Sequence, residues 1–197
     1  MRDKHQTCSC CYFENKDCLC SLVEPVTTSF KTVIIMNKSE FFRLSNSGKL
    51  LLLILKNCEL RVRGLKDSPL SYKNILSSMK KPVYVLFPDK KATDLKDINL
   101  SSQKQNFSLL IPDGNWAQAA KIANKLRNEK GVYFIKISFE KASNYILRKN
   151  PNKEKLSTFE STLKALGYID KSFKNPDFNK LFETFVDRGL KLRGKNN

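Results

Sequence analysis

The chain has 197 residues, with 36 Lys+Arg against 19 Asp+Glu and a formal net charge of +17. At 41% hydrophobic and 28% charged residues it can bury a core, which excludes wholesale disorder. A cationic excess of this size argues against a small enzyme acting on neutral substrates. It argues for a polyanionic partner, nucleic acid above all. Lysine supplies 28 of the 36 cations, usage that a genome-wide bias also produces, so the charge is a pointer rather than a footprint.

The longest apolar run, Leu50 to Leu55, falls far short of the ~20 residues that span a bilayer. No membrane partner is expected. No apolar segment follows Met1 to Gln6, so no secretory signal is predicted and a cytoplasmic location is expected. Cysteines stay reduced there. Five of the six lie between Cys8 and Cys20, a cluster that reads as metal-binding before disulfide.

Residues 1–22 form this Cys-rich head, and residues 23–197 form the main domain. Thr32 to Met36 reads as a buried strand. The polar turn Ser45-Asn46-Ser47-Gly48 leads into a helix over 48–57, followed by a short strand over 59–63 and a helix over 71–80. Pro82 to Phe87 is a second buried strand, stopped by Pro88-Asp89. Residues 90–105 are polar and read as a loop. Phe107 to Ile111 is a third buried strand that runs into Pro112-Asp113-Gly114-Asn115 and a helix. Trp116, Ala119, Ala120, Ala123 and Leu126 share one face of that helix at helical spacing, which reads as core. A strand follows over 132–137. Ser157-Thr158-Phe159-Glu160 is a capping box before a helix. Asn175-Pro176 opens a last helix with the stripe Phe178, Leu181, Phe182, Phe185 and Val186. Apolar strands alternating with helices predict an α/β fold, a mainly parallel sheet with flanking helices. Parallel sheets place sites at the carboxyl ends of their strands, which directs attention to Phe87-Pro88-Asp89 and to the Asp113 turn.

Cys8-x2-Cys11-x6-Cys18-x-Cys20 offers four thiolates, the soft tetrahedral set of a closed, structural Zn²⁺ site, with Cys10 spare. Cys58 stands alone and reads as a packed, inert thiol. Asp113 either caps the following helix or serves the site, as a general base or as a group that orients a substrate; Asn115 is the competing cap. Arg43-x-Ser45-Asn46-Ser47-Gly48-Lys49 either caps a helix or holds a phosphate or carboxylate through its hydroxyls, N–H groups and cations. Its glycine spacing is not that of a Walker loop. Arg148-Lys149-Asn150-Pro151 is a basic turn. His5 is the only histidine, so proton transfer falls to Asp, Glu, Lys, Tyr or water.

These fragments, taken together and in order, resemble the DTW-domain family over nearly the whole chain. The Cys-rich head looks like the family's entry. Glu40-x-x-Arg43-x-Ser45-Asn46-Ser47-Gly48-Lys49-Leu50 is similar to its E-x-x-R-x-S/T-N-T-G-R/K-L segment. Pro112-Asp113-Gly114-Asn115-Trp116 with Gln118-Ala119 resembles the naming motif D-G-T-W-x-Q-A. Phe87-Pro88, Arg148-x-Asn150-Pro151 and Leu156-Ser157-Thr158-x-Glu160 match its remaining signatures. Two positions depart from the pattern: Asn115 stands for Thr, and Asn37 for a His before the E-x-x-R segment, so a proton-shuttle role at that position is not expected here.

The resemblance implies a tRNA-uridine aminocarboxypropyltransferase. Such an enzyme moves the 3-amino-3-carboxypropyl group of S-adenosylmethionine to N3 of a tRNA uridine and releases methylthioadenosine. It implies a fold similar to SPOUT methyltransferases, with a trefoil knot in the carboxyl half. On this reading Asp113 takes the N3 proton. Phe87, Pro88, Asp113, Trp116, Leu156, Ser157 and Thr158 lie near the donor. Arg43, Ser45, Asn46, Ser47, Lys49 and Arg148 hold the substrate, and Cys8, Cys11, Cys18 and Cys20 hold structural zinc. A SPOUT-type RNA methyltransferase and a non-enzymatic zinc-containing RNA-binding protein are the alternatives. Monomer and homodimer both stay open.

Overall fold

The structure is a computed structural model that describes residues 8–11, 13–41, 43–98, 100, 106–138, 156–170, 173 and 176–194. Six parallel strands form one sheet: β1 (Lys31–Asn37), β2 (Cys58–Arg63), β3 (Val83–Leu86), β4 (Thr93–Asp94), β5 (Ser108–Asp113) and β6 (Val132–Lys136). Their order is β2-β1-β5-β3-β6-β4. The central strands are apolar on both faces because both faces are covered. Every residue of β3 and β5 is buried, the signature of a parallel sheet between helical layers.

Side-chain alternation divides the core. Val33, Ile35, Val85 and Leu110 face α3 (Tyr72–Ser77) and α4 (Trp116–Leu126). Ile34, Met36, Leu109 and Ile111 face α2 (Leu51–Ile54), α5 (Thr158–Ile169) and α6 (Pro176–Gly194). A short helix, α1 (Lys38–Phe41), follows β1 directly. The cysteine head joins the second layer: Cys11, Phe13 and Leu19 are buried in the same cluster. Phe13 meets Phe185 of α6 edge-on, with centroids 5.8 Å apart, and one guanidinium nitrogen of Arg188 donates to the carbonyls of Asp17 and Cys18 at 2.5 and 2.7 Å.

The parallel α/β architecture and its elements follow the sequence expectation, with four corrections. The helix expected over 48–57 is a 3-10 turn (Ser47–Leu50) and one α-turn (Leu51–Ile54). Leu55 leaves it extended and bridges Val26, and the Asn57 amide donates to the carbonyls of Thr28 and Phe30 at 2.6 Å each. The helix expected over 71–80 ends at Ser77. The segment 90–105 is not all loop. Thr93–Asp94 pairs with β6, Leu95–Asp97 forms a 3-10 turn, and Ala92, Leu95 and Leu100 are buried. Two residues of strand are too few to show a period. Trp116 does not join the buried face of α4, which is Ala119, Ile122, Ala123 and Leu126; it is 53% exposed.

Candidate active site

Neighbouring strands β1 and β5 send their following helices to opposite faces of the sheet. After β1 the chain reaches α2 in one layer, and after β5 it enters α4 in the other. Such a divergence opens a crevice beyond the carboxyl ends of the two strands. Asp113, the last residue of β5, lies there opposite Met36.

Asp113 is 2% exposed and does not cap α4. The cap is Asn115, whose side chain accepts from the Gln118 N–H while the Gln118 carboxamide accepts from the Asn115 N–H. The Asp113 carboxylate instead ties three segments together. Asn46 Nδ2 donates to its Oδ2 at 2.6 Å, and the Thr158 hydroxyl donates to its Oδ1 at 2.5 Å. Gly48 lies beneath it, so close that a Cβ there would stand 2.7 Å from Oδ1. The N–H of Phe159 donates to Ser47 Oγ at 3.4 Å. The loop after β1, the end of β5 and the first turn of α5 thus meet at one carboxylate.

The other predicted residues divide into supports and surface. Asn46 accepts from the Lys49 N–H. Lys49 is 4% exposed, and its ammonium donates to the carbonyls of Phe41 and Arg43 at 3.0 and 2.9 Å. It braces the loop from inside. Ser157 is fully buried as the cap of α5, in a reciprocal box with Glu160. Ser45, Leu156 and Thr158 are half-buried. Arg43 is exposed and pairs with the buried Glu40 at 3.0 Å. At the end of β3, Pro88 is exposed, and Phe87 packs against Trp116 with ring centroids 5.4 Å apart. The site thus presents an exposed guanidinium and an exposed indole. Arg148, Asn150, Pro151 and His5 lie outside the described residues. Sequence reasoning missed the close packing of Gly48 on Asp113 and the pairing of Gln118 with Ser39; a glycine inside a polar turn was the only signal of the first.

The Sγ atoms of Cys8, Cys11, Cys18 and Cys20 all lie within 4.8 Å of one another. Cys8 and Cys20 are 3.6 Å apart, Cys11 and Cys18 3.7 Å. A tetrahedral zinc with Zn–S near 2.3 Å sets its sulfurs about 3.8 Å apart, so the donor set fits. Without a cation, burial keeps part of the set protonated. Burial pushes the Cys11 and Cys20 thiols up. Burial also acts on Cys8, but the N–H groups of Cys11 and Cys10 and the neighbouring thiols bring it down to about 6. A metal between them would let all four ionise at this spacing. Cys10 is exposed. Cys58, pushed up to about 12 by burial and then by Glu59, is inert.

A family profile described as DTW domain matches residues 5–190. The chain is 26% identical over 169 residues to tRNA-uridine aminocarboxypropyltransferase 2 of Macaca fascicularis, covering 84% of this chain and 57% of that protein. It is 24% identical over 174 residues to the protein of the same name from Mus musculus, covering 86% and 58%. The chain therefore spans little more than half the length of these relatives. Among solved structures it is similar to the SAM-dependent rRNA:acp-transferase Tsr3 from Vulcanisaeta distributa. That likeness has a TM-score of 0.39 and 12% identity, and it covers 85% of this chain and 80% of that one.

Proposed function

Because this chain belongs to the DTW domain family, matched over residues 5–190, we propose that it transfers the 3-amino-3-carboxypropyl group of S-adenosylmethionine to N3 of a tRNA uridine. The observation that carries the reading is the junction at Asp113. The family's naming turn, its E-x-x-R segment and its last signature meet there on one buried carboxylate, at the strand-end crevice. The names of the two mammalian relatives support it, as does the charge of +17, which suits a phosphate backbone.

S-adenosylmethionine supplies an electrophilic carbon activated by its sulfonium. The chain supplies the rest. The exposed indole of Trp116, backed by Phe87, offers an aromatic face to adenine, and Pro88 and Leu156 extend the apolar wall. Arg43, held in direction by Glu40, offers its free edge to the donor's carboxylate or to the flipped nucleotide. Asn46, Ser47 and Lys49 act by shaping the loop that carries Arg43 and Ser45. Asp113 takes the N3 proton. Its burial leaves the half-buried Thr158 hydroxyl as the path: the oxygen receives the proton from N3 as its own passes to the carboxylate.

Three finer statements belong to the same proposal. Residues 1–22 form a structural zinc unit on the domain of residues 23–197, in a protein that works in the reducing cytoplasm. The carboxyl half carries a trefoil knot of the SPOUT kind. Arg148 contacts the tRNA. By-product analysis tests the reaction. Incubated with S-adenosylmethionine and unmodified tRNA transcripts, the protein releases methylthioadenosine, and Asp113→Asn abolishes the release. S-adenosylhomocysteine instead would overturn the proposal in favour of methyl transfer.

A further inference from the structure

One chain of hydrogen bonds at the crevice is not used by the chemistry above. It starts at the backbone. The Ser39 N–H donates to Asn37 Oδ1 at 3.1 Å, and the Ser39 hydroxyl donates to the same oxygen at 3.0 Å. Ser39 Oγ then accepts from Gln118 Nε2 at 2.9 Å. Gln118 Oε1 accepts from the Asn115 N–H at 2.9 Å. The chain thus runs from the end of β1 across the crevice to the first turn of α4, beside the exposed Trp116.

Its polarity has only one consistent setting. A backbone N–H cannot reverse, so Ser39 fixes which atom of the Asn37 amide faces it. With its proton committed to Asn37, the Ser39 oxygen is left to accept, so it takes the NH2 end of Gln118. The carbonyl end of Gln118 must then face Asn115. A flipped Gln118 would set donor against donor at Asn115 and acceptor against acceptor at Ser39. The backbone has made room for this carboxamide: at Gly114 (φ 146°) a Cβ would stand 2.7 Å from Gln118 Oε1.

We propose that Asn37 and Ser39 are positioning residues. Through Gln118 they lock the Gly114–Trp116 turn, and with it the indole, in the pose that receives the donor. This deepens the reading of the crevice as the donor site and rests on it. Asn37 keeps the position where the family pattern has His, as an acceptor rather than a proton carrier.

Trp116 is the only tryptophan, so its fluorescence reads the turn directly, without any ligand. The test compares Ser39→Ala, Ser39→Thr, Asn37→Leu and Asn37→Asp by acrylamide quenching of the apo-protein and by calorimetric titration with S-adenosylmethionine. Ser39→Ala and Asn37→Leu raise the quenching constant and weaken donor binding about three- to tenfold, the worth of one ordered hydrogen bond. Ser39→Thr and Asn37→Asp, which keep the hydroxyl and the acceptor, return quenching to that of the parent. Parent-like quenching and affinity in Ser39→Ala would overturn the proposal. So would failure of both conservative variants to restore the parent's quenching. If the parent itself binds no S-adenosylmethionine, the reading of the crevice fails, and the quenching comparison alone still decides whether Asn37 and Ser39 hold the turn.

Discussion

Gly48→Ala is the substitution whose sign the structure decides most sharply. Gly48 lies in the 3-10 turn Ser47–Leu50 and is not among the glycines with positive φ, so alanine fits its backbone. On conformational entropy alone the change would stabilise the protein by about 0.4–1 kcal/mol. The new Cβ, however, would stand 2.7 Å from Asp113 Oδ1 and 2.8 Å from its Cγ. The carboxylate cannot step aside cheaply, because Asn46 and Thr158 hold its two oxygens. Overpacking of this kind costs about 1–3 kcal/mol. The net is a loss of about 0.5–2 kcal/mol, or a fall in Tm of about 1–8 °C for a chain of this size. Transfer suffers more than stability, because a misplacement approaching 1 Å at a reacting group costs up to about 100-fold in rate. The assay is a double-mutant cycle in Tm, with the rate of transfer compared between Gly48→Ala and the parent alone. In an Asp113→Ala background the clash is gone, and Gly48→Ala costs little further stability. A Gly48→Ala protein as stable and active as the parent would refute the reasoning, as would an equal penalty in both backgrounds.

The same alanine substitution in α5 should act oppositely. Gly167 has nothing within 4 Å of its Cβ position, so Gly167→Ala gains about 0.5–1 kcal/mol of helix stability, read as a higher Tm. Metal extraction with a chelator should lower Tm and open Cys8 and Cys20 to alkylation, and Arg188→Ala, which frees the carbonyls of Asp17 and Cys18, should speed metal release to a colorimetric indicator; an unchanged Tm after verified extraction would contradict the structural role. Asp94 is held below the usual carboxylate range by the Ser138 hydroxyl and then, against burial, by the Lys96 N–H. The stability it adds is present above pH 3.8, its ordinary value, and is lost as pH falls through its lower folded value. Ser138→Ala should move its NMR titration upward, and an unmoved titration would count against that contact.

The buried strands were legible in the sequence because runs such as Val83 to Leu86 can only be covered on both faces. The cysteine cluster was legible because ligand spacing is local. Asp113 could be picked out as the end of an apolar strand before a helix, and its two competing roles could be stated but not separated. Capping depends on which oxygen reaches which N–H, and here Asn115 reaches Gln118 while Asp113 turns away to residues 67 and 45 positions distant. Long-range partners leave no trace in spacing. Lys49 reads like its exposed neighbour Arg43 in sequence, yet one ammonium is turned inward to carbonyls and the other side chain is 56% exposed. Trp116 shares the helical spacing of the core face, but it is the first residue of α4, ahead of the buried face that begins at Ala119.

The most direct test of the central claim uses S-adenosylmethionine labelled in the carboxyl group and, separately, in the methyl group, with purified protein and unmodified tRNA transcripts. The account predicts that carboxyl label enters the tRNA, resides on a uridine after nuclease digestion, and is absent with Asp113→Asn. Methyl label in the tRNA without carboxyl label, or neither label from zinc-loaded protein that binds tRNA, would contradict it.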